Sequence, residues 1–249
     1  MSGTPGSGKS SVAAHFAQAA CQRGERCLFF LFEESPGQVT RNMRSIGLDL
    51  ERWLKKGMLR FHATRASVYG LEMHLATLYK LVQQFQPSAV IVDPINNLSL
   101  AGTRRDTTAM LTRMIDFLKL QGITALLTSM TSSDQNQETT DTGISSLVDT
   151  WLLLRDIELS GERNRAAYVL KSRGMSHSNQ IREFLLTDRG IELVDIYLET
   201  EGVLTGSARK SQDARERASG LRRQQKIEAK QRGLAQKRAV TTACSPGKR

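Results

Sequence analysis

The 249-residue sequence has little of what marks membrane, secreted or zinc-binding proteins. None of its apolar runs approaches the roughly 20 residues that cross a bilayer, and its N-terminus has neither the charged nor the apolar region of a signal peptide. Its three cysteines (Cys21, Cys27 and Cys244) are odd in number and form no C-x-x-C pair, so we expect neither a disulfide framework nor a zinc site. We therefore expect a cytoplasmic protein with ordinary thiols.

Acidic residues are scarce at the C-terminal end. Residues 206–249 hold 13 Lys and Arg against 3 Asp and Glu, and this net charge of +10 equals the excess of the whole chain. The preceding body is neutral, with 22 residues of each sign. Large apolar residues are also few in the tail, so we expect a solvated helix or a disordered segment there and not part of a core.

Apolar and amphipathic segments alternate over the first half of the chain. Short apolar runs at Cys27–Phe32, Ala89–Val92 and Ile123–Thr128 are typical of strands buried on both faces. With a further strand at Leu59–His62 and helical patterns between them (residues 11–22, 36–45, 71–85 and 107–120), they predict an α/β fold with a mostly parallel sheet flanked by helices. After a polar loop at 129–142, strand patterns separated by short turns predict an antiparallel C-terminal extension (148–154, 166–171 and 181–186).

The first residues contain a phosphate-binding motif. The segment GTPGSGKS matches G-x-x-x-x-G-K-[ST], with Gly8, Lys9 and Ser10 in register. Glycines let backbone N–H groups turn toward nucleotide phosphates, Lys9 can reach the β and γ oxygens, and the Ser10 hydroxyl can ligate Mg²⁺. The predicted binding residues are Gly3, Thr4, Pro5, Gly6, Ser7, Gly8, Lys9, Ser10 and Ser11. The alternative is a glycine-rich turn before a helix. The strand that normally leads into such a loop is missing from the sequence, so we expect the sheet to lose a central strand.

Two sets of acids follow predicted strands. Asp93 ends the apolar segment AVIVD, which delivers a carboxylate to the sheet edge where α/β proteins bind ligands, and predicts a Walker B ligand for Mg²⁺. Its alternative role is a cap before Pro94. Glu33 and Glu34 follow the strand Cys27–Phe32 and can orient and deprotonate an attacking hydroxyl or water. Alternatively, this acidic pair opens a helix at Ser35-Pro36.

Three further sets of polar residues give weaker signals. Lys171 and Arg173 alternate on a strand and can clamp developing γ-phosphate charge, in cis or from a neighbouring subunit, or simply form an exposed charged face. Ser145 and Ser146 read on their own as ordinary loop serines. Thr128-Ser129 can contact a γ-phosphate or can be a polar strand end.

Five segments together resemble the KaiC family, the RecA-like ATPases of the bacterial circadian clock and their relatives: Ser2–Ser11, Phe30–Ser45, Ala89–Pro94, Thr142–Thr150 and Val169–Phe184. The likeness covers nearly all of residues 2–208 and is greatest to the second, C-terminal ATPase domain of that two-domain protein. The resemblance implies a RecA-like P-loop NTPase with ATP and Mg²⁺ as its ligands. The expected ATPase domain is 1–206 with its first strand missing, and the basic tail is 207–249.

The resemblance also implies roles for individual residues. Glu33 and Glu34 match paired catalytic glutamates, the first being the general base. Lys171 and Arg173 match a basic pair that reaches the nucleotide of the adjacent subunit in a hexamer. Ser145 and Ser146 match neighbouring phosphoacceptor hydroxyls, usually Ser then Thr, so the order of modification stays open.

The implied function is an ATPase and serine/threonine autokinase that phosphorylates across a subunit interface as a switch. The resemblance further implies a truncated relative that lacks the N-terminal ATPase domain, and a regulatory protein as a candidate partner of the tail. Two alternatives remain open: a RecA-like repair or recombination ATPase that binds nucleic acid through its basic tail, and a regulatory interaction module. The tail has no aromatic residue on which bases could stack.

Overall fold

A computed structural model describes residues 1–131, 144–159, 162–178, 180–188, 190–195, 197–199 and 202–204, together with Arg217 and Gln224. Residues Met1–Asp195 form one compact unit. A second unit follows, and its described part is a short antiparallel hairpin of Tyr197–Glu199 and Gly202–Leu204. Apart from those two single residues, the predicted tail and Cys244 lie outside the described residues, as does most of the predicted polar loop.

The compact unit alternates helices and strands up to its fifth helix and continues with strands alone, as the sequence pattern predicts. Its helices are α1 (Lys9–Gln22), α2 (Pro36–Arg44), α3 (Glu51–Lys55), α4 (Leu71–Phe85) and α5 (Arg104–Leu120). Its strands are β1 (Ser2–Gly3), β2 (Cys27–Leu31), β3 (Leu59–Ala63), β4 (Ala89–Asp93), β5 (Thr124–Leu127), β6 (Ser129–Met130), β7 (Thr150–Leu159), β8 (Glu162–Ser172), β9 (Arg182–Thr187) and β10 (Gly190–Asp195). Short 3₁₀ turns occupy Ala66–Val68 and Ile95–Ala101.

The strands form two sheets that share one continuous run of chain. The first is parallel, with four strands in the order β3-β2-β4-β5. The second has the order β10-β9-β8-β7-β1-β6, in which β1 is parallel to both neighbours and the strands from β7 to β10 are antiparallel. Strands β5 and β6 are separated only by Thr128, so residues 124–130 connect the two sheets. The predicted antiparallel extension is confirmed.

Both faces of the parallel sheet are covered by helices. All residues of β2 and β4 are buried, as expected for central parallel strands. Alternate side chains point to opposite sides because the strand repeat is two residues. Leu28 and Phe30 pack with α4 and α5, whereas Phe29 and Leu31 pack with α1, α2 and α3. Because the strands are parallel, their carboxyl ends meet at one edge of the sheet, where the polar residues of the site lie.

The strand that leads into the phosphate-binding loop corrects the sequence prediction, because it is not wholly missing. Ser2 and Gly3 form a two-residue strand between β6 and β7, with Gly3 opposite Met130 and Leu154. The Met1 ammonium donates a hydrogen bond to the Leu127 carbonyl oxygen (2.8 Å), which extends the pairing by one residue. The neighbouring strands β6 and β7 supply the pairing partners of both residues.

Candidate functional site

The loop Gly3–Ser10 joins β1 to α1 at the edge formed by the carboxyl ends of the parallel strands. Gly8 caps α1 with a φ of 94°, a left-handed conformation that favours glycine. Gly3 is fixed by space, since a Cβ at this position would lie 2.6 Å from the Leu154 carbonyl oxygen. The sequence motif therefore has the strand–loop–helix context that a phosphate-binding loop requires.

Lys9 is the first residue of α1 and is 8% exposed. Its Nζ donates to the carbonyl oxygens of Gly3 (2.9 Å) and Thr4 (2.8 Å), so the ammonium lies along the inside of its own loop. Burial lowers the pKa of the Lys9 ammonium, and the carboxylates of Asp93, Glu33 and Asp156 oppose that shift. A cation this poorly hydrated is suited to bind phosphate oxygens.

A cavity of about 410 Å³ lies beside this loop. Its volume is within the range of ligand pockets, roughly 300–1,000 Å³. The predicted residues that line it are Pro5, Gly6, Gly8, Lys9, Ser10, Ser11, Glu33, Glu34 and Asp93. Asn42, Met43, Ile46, Pro94, Met130 and Leu186 complete the lining. The predicted residues Gly3, Thr4 and Ser7 do not line it. The fold thus brings six of the nine predicted loop residues and all three predicted carboxylates to one cavity.

Asp93 ends β4 and is 8% exposed. Its Oδ1 accepts a hydrogen bond from the hydroxyl of Thr128, which is fully buried. The backbone of Thr128 is held as well, since its N–H donates to Val92 (3.0 Å) and its carbonyl oxygen accepts from Ile95 (2.9 Å). Thr128 therefore contacts the predicted Walker B carboxylate, while a contact with a γ-phosphate stays a prediction.

Each of the paired glutamates has an asparagine partner. Asn97 Nδ2 donates to Glu33 Oε1 at 3.2 Å. Burial is the largest cause that raises the pKa of the Glu34 carboxyl, and the negative charges of Asp93 and Glu33 raise it further. A hydrogen bond with Asn42 opposes that rise. Glu33 is exposed and Glu34 is half-buried, so the two carboxylates differ in environment. The helix-opening role belongs to Ser35, whose side chain caps α2.

Strands β7 and β8 support the loop through contacts that the sequence did not reveal. Thr4 Oγ1 donates to Asp156 Oδ2 (3.4 Å), and this carboxylate also pairs with Arg163 (2.7 Å). Arg165 Nε donates to the Gly6 carbonyl oxygen at 3.3 Å. Asp156 lies in a strand (TWLLLRDIEL) that also carries Arg155 and Glu158, so no local signal in the sequence singled it out.

Lys171 and Arg173 are not among the residues that line the cavity. Lys171 lies at the end of β8 and Arg173 directly follows that strand, beside the turn that precedes β7. Lys171 Nζ donates to the Ser145 carbonyl oxygen (2.9 Å), and Arg173 Nη2 donates to that of Ser146 (2.7 Å). Within one chain the predicted basic pair therefore contacts the predicted phosphoacceptor turn and not the phosphate-binding loop.

The donor set at the cavity fits Mg²⁺ in a nucleotide complex. The ion prefers oxygen ligands and usually binds through one or two protein oxygens, substrate phosphates and water. Ser10 and Asp93 both line the cavity and offer a hydroxyl and a carboxylate. Among the described residues no group of three or more His, Cys, Asp or Glu could hold a metal ion, so a dedicated all-protein metal cage is not present in that part of the chain. No helix there is long and apolar enough to cross a membrane.

Comparison with known proteins agrees with this geometry. The family model described as "ATPase: KaiC" matches residues 1–197. The chain is 46% identical over 245 residues to circadian clock protein KaiC2 of Synechocystis sp., covering 98% of this chain and 43% of that protein. It is 34% identical to KaiC3 of the same organism, covering 89% and 44%, and 34% identical to the circadian clock oscillator protein KaiC of Thermostichus vulcanus, covering 82% and 40%.

The chain spans less than half the length of these curated relatives. The two sheets, the helices on both faces and the loop between β1 and α1 are those of a RecA-like α/β P-loop ATPase. The family match covers the whole of this fold, from the phosphate-binding loop to the end of β10. The chain belongs to the KaiC ATPase family.

Proposed function

We propose that the chain binds Mg²⁺-ATP in the cavity beside Gly3–Ser10 and hydrolyses it. The observation that carries this proposal is the convergence of Lys9, Ser10, Asp93 and the Glu33–Glu34 pair on that single cavity. Lys9 would exchange its two carbonyl partners for phosphate oxygens, which gives stronger charge-assisted hydrogen bonds. Ser10 and Asp93 would hold Mg²⁺, which neutralises phosphate charge when bound.

Glu33 is the proposed general base. Its carboxylate is fixed by Asn97 and faces the cavity, so it can accept the proton of an attacking hydroxyl. In the transfer, a bond forms between that oxygen and the γ-phosphorus, the bond to the β-phosphate oxygen breaks, and ADP leaves. Water as the attacking group gives hydrolysis, and a serine hydroxyl gives a phosphoserine. Glu34, whose raised pKa reflects burial and two neighbouring acids, is proposed to support the charge balance of the site.

The proposed phosphoacceptors are Ser145 and Ser146, and the topology favours transfer between subunits. Strand β7 runs from Thr150 to Leu159, and Gly3 pairs with Leu154. Ser145 lines one small cavity with Met1, Ser2 and Trp151, at the amino-terminal end of β1, whereas the phosphate-binding loop leaves β1 at its other end. A nucleotide beyond Gly3 is farther still. A neighbouring copy, in the hexamer that the family resemblance implies, brings Ser145, Lys171 and Arg173 to the nucleotide.

Complementation between two inactive variants tests this proposal. Lys9→Ala removes the phosphate-binding cation, and the double variant Ser145→Ala/Ser146→Ala removes the acceptors. Neither variant alone should yield a phosphopeptide covering residues 142–150 after incubation with Mg²⁺-ATP. When the two are mixed, the Lys9→Ala chain should become phosphorylated by its partner. A wild-type chain that hydrolyses ATP but yields no such phosphopeptide would refute the autokinase and leave the ATPase standing.

The wider role is proposed from the relatives, which are circadian clock proteins. A phosphoserine adds nearly two negative charges at the turn and can bias a subunit interface, so we propose a cytoplasmic signalling or clock-like switch. The basic tail at residues 207–249 is the proposed docking segment for a regulatory protein. Its net charge supports a second candidate, a RecA-like repair or recombination ATPase that binds nucleic acid.

A further inference from the structure

Three consecutive backbone carbonyl oxygens in the turn before β7 each accept a hydrogen bond from a different cation. Lys171 Nζ donates to Ser145 (2.9 Å), Arg173 Nη2 to Ser146 (2.7 Å) and Lys119 Nζ to Leu147 (3.2 Å). Lys119 comes from α5, Lys171 from the end of β8, and Arg173 from the residue directly after that strand. Two separate elements therefore direct cations onto one three-residue turn.

One carboxylate, that of Asp149, lies near these cations and pairs with Lys119. Lys119 Nζ donates to Asp149 Oδ1 at 2.9 Å, and the Arg173 backbone N–H donates to the Asp149 carbonyl oxygen at 2.8 Å. The Lys119 hydrogen bond lowers the pKa of the Asp149 carboxyl, and the positive charges of Lys119, Arg173 and Lys171 act in the same direction. Three cations against one carboxylate leave a net charge of +2 around the turn among the described residues.

Neutral carbonyl oxygens are weak partners for three cations. A carbonyl does not neutralise an ammonium or a guanidinium, whereas a phosphate can do so and binds Arg through two parallel N–H groups. The turn carries two serines, of which Ser146 is exposed. A phosphoserine contributes about −1.5 to −2 charges at pH 7, which matches the +2 of the cluster.

We propose that Lys119, Lys171 and Arg173 form a receptor for a phosphoryl group carried by Ser146 of the same chain. This inference rests on the proposed phosphorylation of the turn and adds what holds the phosphate after transfer. Arg173, which already lies 2.7 Å from the Ser146 carbonyl oxygen, moves from that oxygen to the phosphate attached to the same residue. Lys119 and Lys171 supply the remaining charge.

The receptor has a consequence for the neighbouring active site. Lys171 and Arg173 cannot hold a phosphate on their own turn and at the same time reach the nucleotide of an adjacent subunit. Phosphorylation of Ser146 therefore withdraws the basic pair from the neighbour, and the reaction limits itself through its own product.

Phosphoserine placed genetically at position 146 of the full chain tests the receptor without any use of kinase activity. ³¹P NMR titration gives the second pKa of the phosphate, which is about 6 in the absence of partners. Neighbouring opposite charges lower a pKa by about one unit or more. We expect the pKa of phosphoserine 146 to lie about one unit below that of phosphoserine placed at Ser99, an exposed serine in the 3₁₀ segment.

Variants assign the shift to its causes. Arg173→Ala and Lys119→Met should each reduce it, and Arg173→Lys should retain part of it because the charge remains. A merely structural role for these side chains would not move a phosphate pKa. The comparison between positions 146 and 99 needs no cation variant, so the test survives any variant that does not fold.

Equal pKa values at the two positions would overturn the receptor, even in a chain that autophosphorylates. A wild-type chain that fails to phosphorylate itself overturns the proposed autokinase instead, and the titration result still stands by itself. The two failures are thereby distinguished.

Discussion

The hydroxyl of Thr128 donates a hydrogen bond to Oδ1 of Asp93, and both side chains are buried. Thr128 is the residue at which the run 124–130 passes from pairing with β4 to pairing with β1. One side chain therefore fixes the carboxylate at the point where the two sheets join. We infer that Thr128 is a positioning residue for the proposed Mg²⁺ ligand.

Replacing Thr128 by Val should weaken the contribution of Mg²⁺ to ATP binding. Hydrogen bonds to charged groups contribute about 1.5–3 kcal/mol, which corresponds to about 10–100-fold in an equilibrium constant. Calorimetric titration with ATP in Mg²⁺ and in EDTA measures that contribution as the ratio of the two Kd values. Thr128→Ser keeps the hydroxyl and should restore the ratio. An unchanged ratio in Thr128→Val would show that the hydrogen bond does not position Asp93.

Substitutions of the two glutamates should differ in their effect on the rate of ATP hydrolysis. Glu33→Gln should slow hydrolysis by about 10²–10⁴-fold, the usual contribution of a general base, while the Kd for ATP stays near the wild-type value. Asn97→Ala should slow hydrolysis less, because it removes only the hydrogen bond that orients Glu33. Single-turnover measurements separate the chemical step from binding. If Glu34→Gln shows the larger loss, the general base is Glu34 and the assignment is reversed.

Glu34 should make the protein less stable as the pH rises. Its native pKa is raised above the ordinary value of 4.5, mainly by burial, so the folded state binds its proton more tightly than the unfolded state does. Stability is therefore lost as the pH rises from that ordinary value through the raised native one. Glu34→Gln removes this titration. In thermal unfolding between pH 4 and 8, the Tm of the variant should exceed that of wild type at high pH, and the difference in Tm should disappear at low pH. A difference that does not vary with pH would contradict the raised pKa.

Sequence patterns predicted the elements that have a strong local signal. The motif at Gly3–Ser10 and the acid that ends AVIVD are both read from short stretches, and the fold brings them to one cavity. Helix α5 begins at Arg104 and not at the predicted Thr107, because Thr103 and Asp106 form a capping box there. Local chemistry of this kind is visible in sequence once the cap is recognised.

Contacts between distant segments could not be predicted in the same way. Asn97 meets Glu33 across 64 positions, and Thr4 meets Asp156 across 152. Such pairs depend on how strands align in the sheets, which composition and periodicity do not determine. The contact of Lys171 with Ser145 arises from the antiparallel return of β8 along β7. The same pairing keeps Lys171 at the far end of β7 from the loop.

Gly8→Ala should disturb the phosphate-binding loop. A non-glycine residue with φ near 94° costs about 1–2 kcal/mol, and the added Cβ would lie 3.0 Å from a ring carbon of Phe184. Chemical denaturation should show the loss of stability, and ATP affinity should fall by a larger factor because loop N–H groups shift. Gly37→Ala is the matched control, since no atom lies within 4 Å of its added Cβ and it has an ordinary helical position. Equal effects of the two substitutions would show that the Gly8 conformation is not required.

Removal of residues 211–249 tests whether DNA binding by the basic tail is coupled to the ATPase. Residues 206–249 carry a net charge of +10 and should bind DNA without sequence preference. The affinity of this binding should fall steeply as the salt concentration rises. We expect the deletion to abolish that binding and to leave the ATPase rate unchanged, with or without DNA, because the proposed catalytic residues all lie in Met1–Asp195. Steady-state ATPase assays and fluorescence anisotropy with labelled single strands at several salt concentrations measure both properties. A full-length chain whose ATPase is stimulated by DNA, and loses that stimulation on deletion, would instead favour a repair or recombination ATPase.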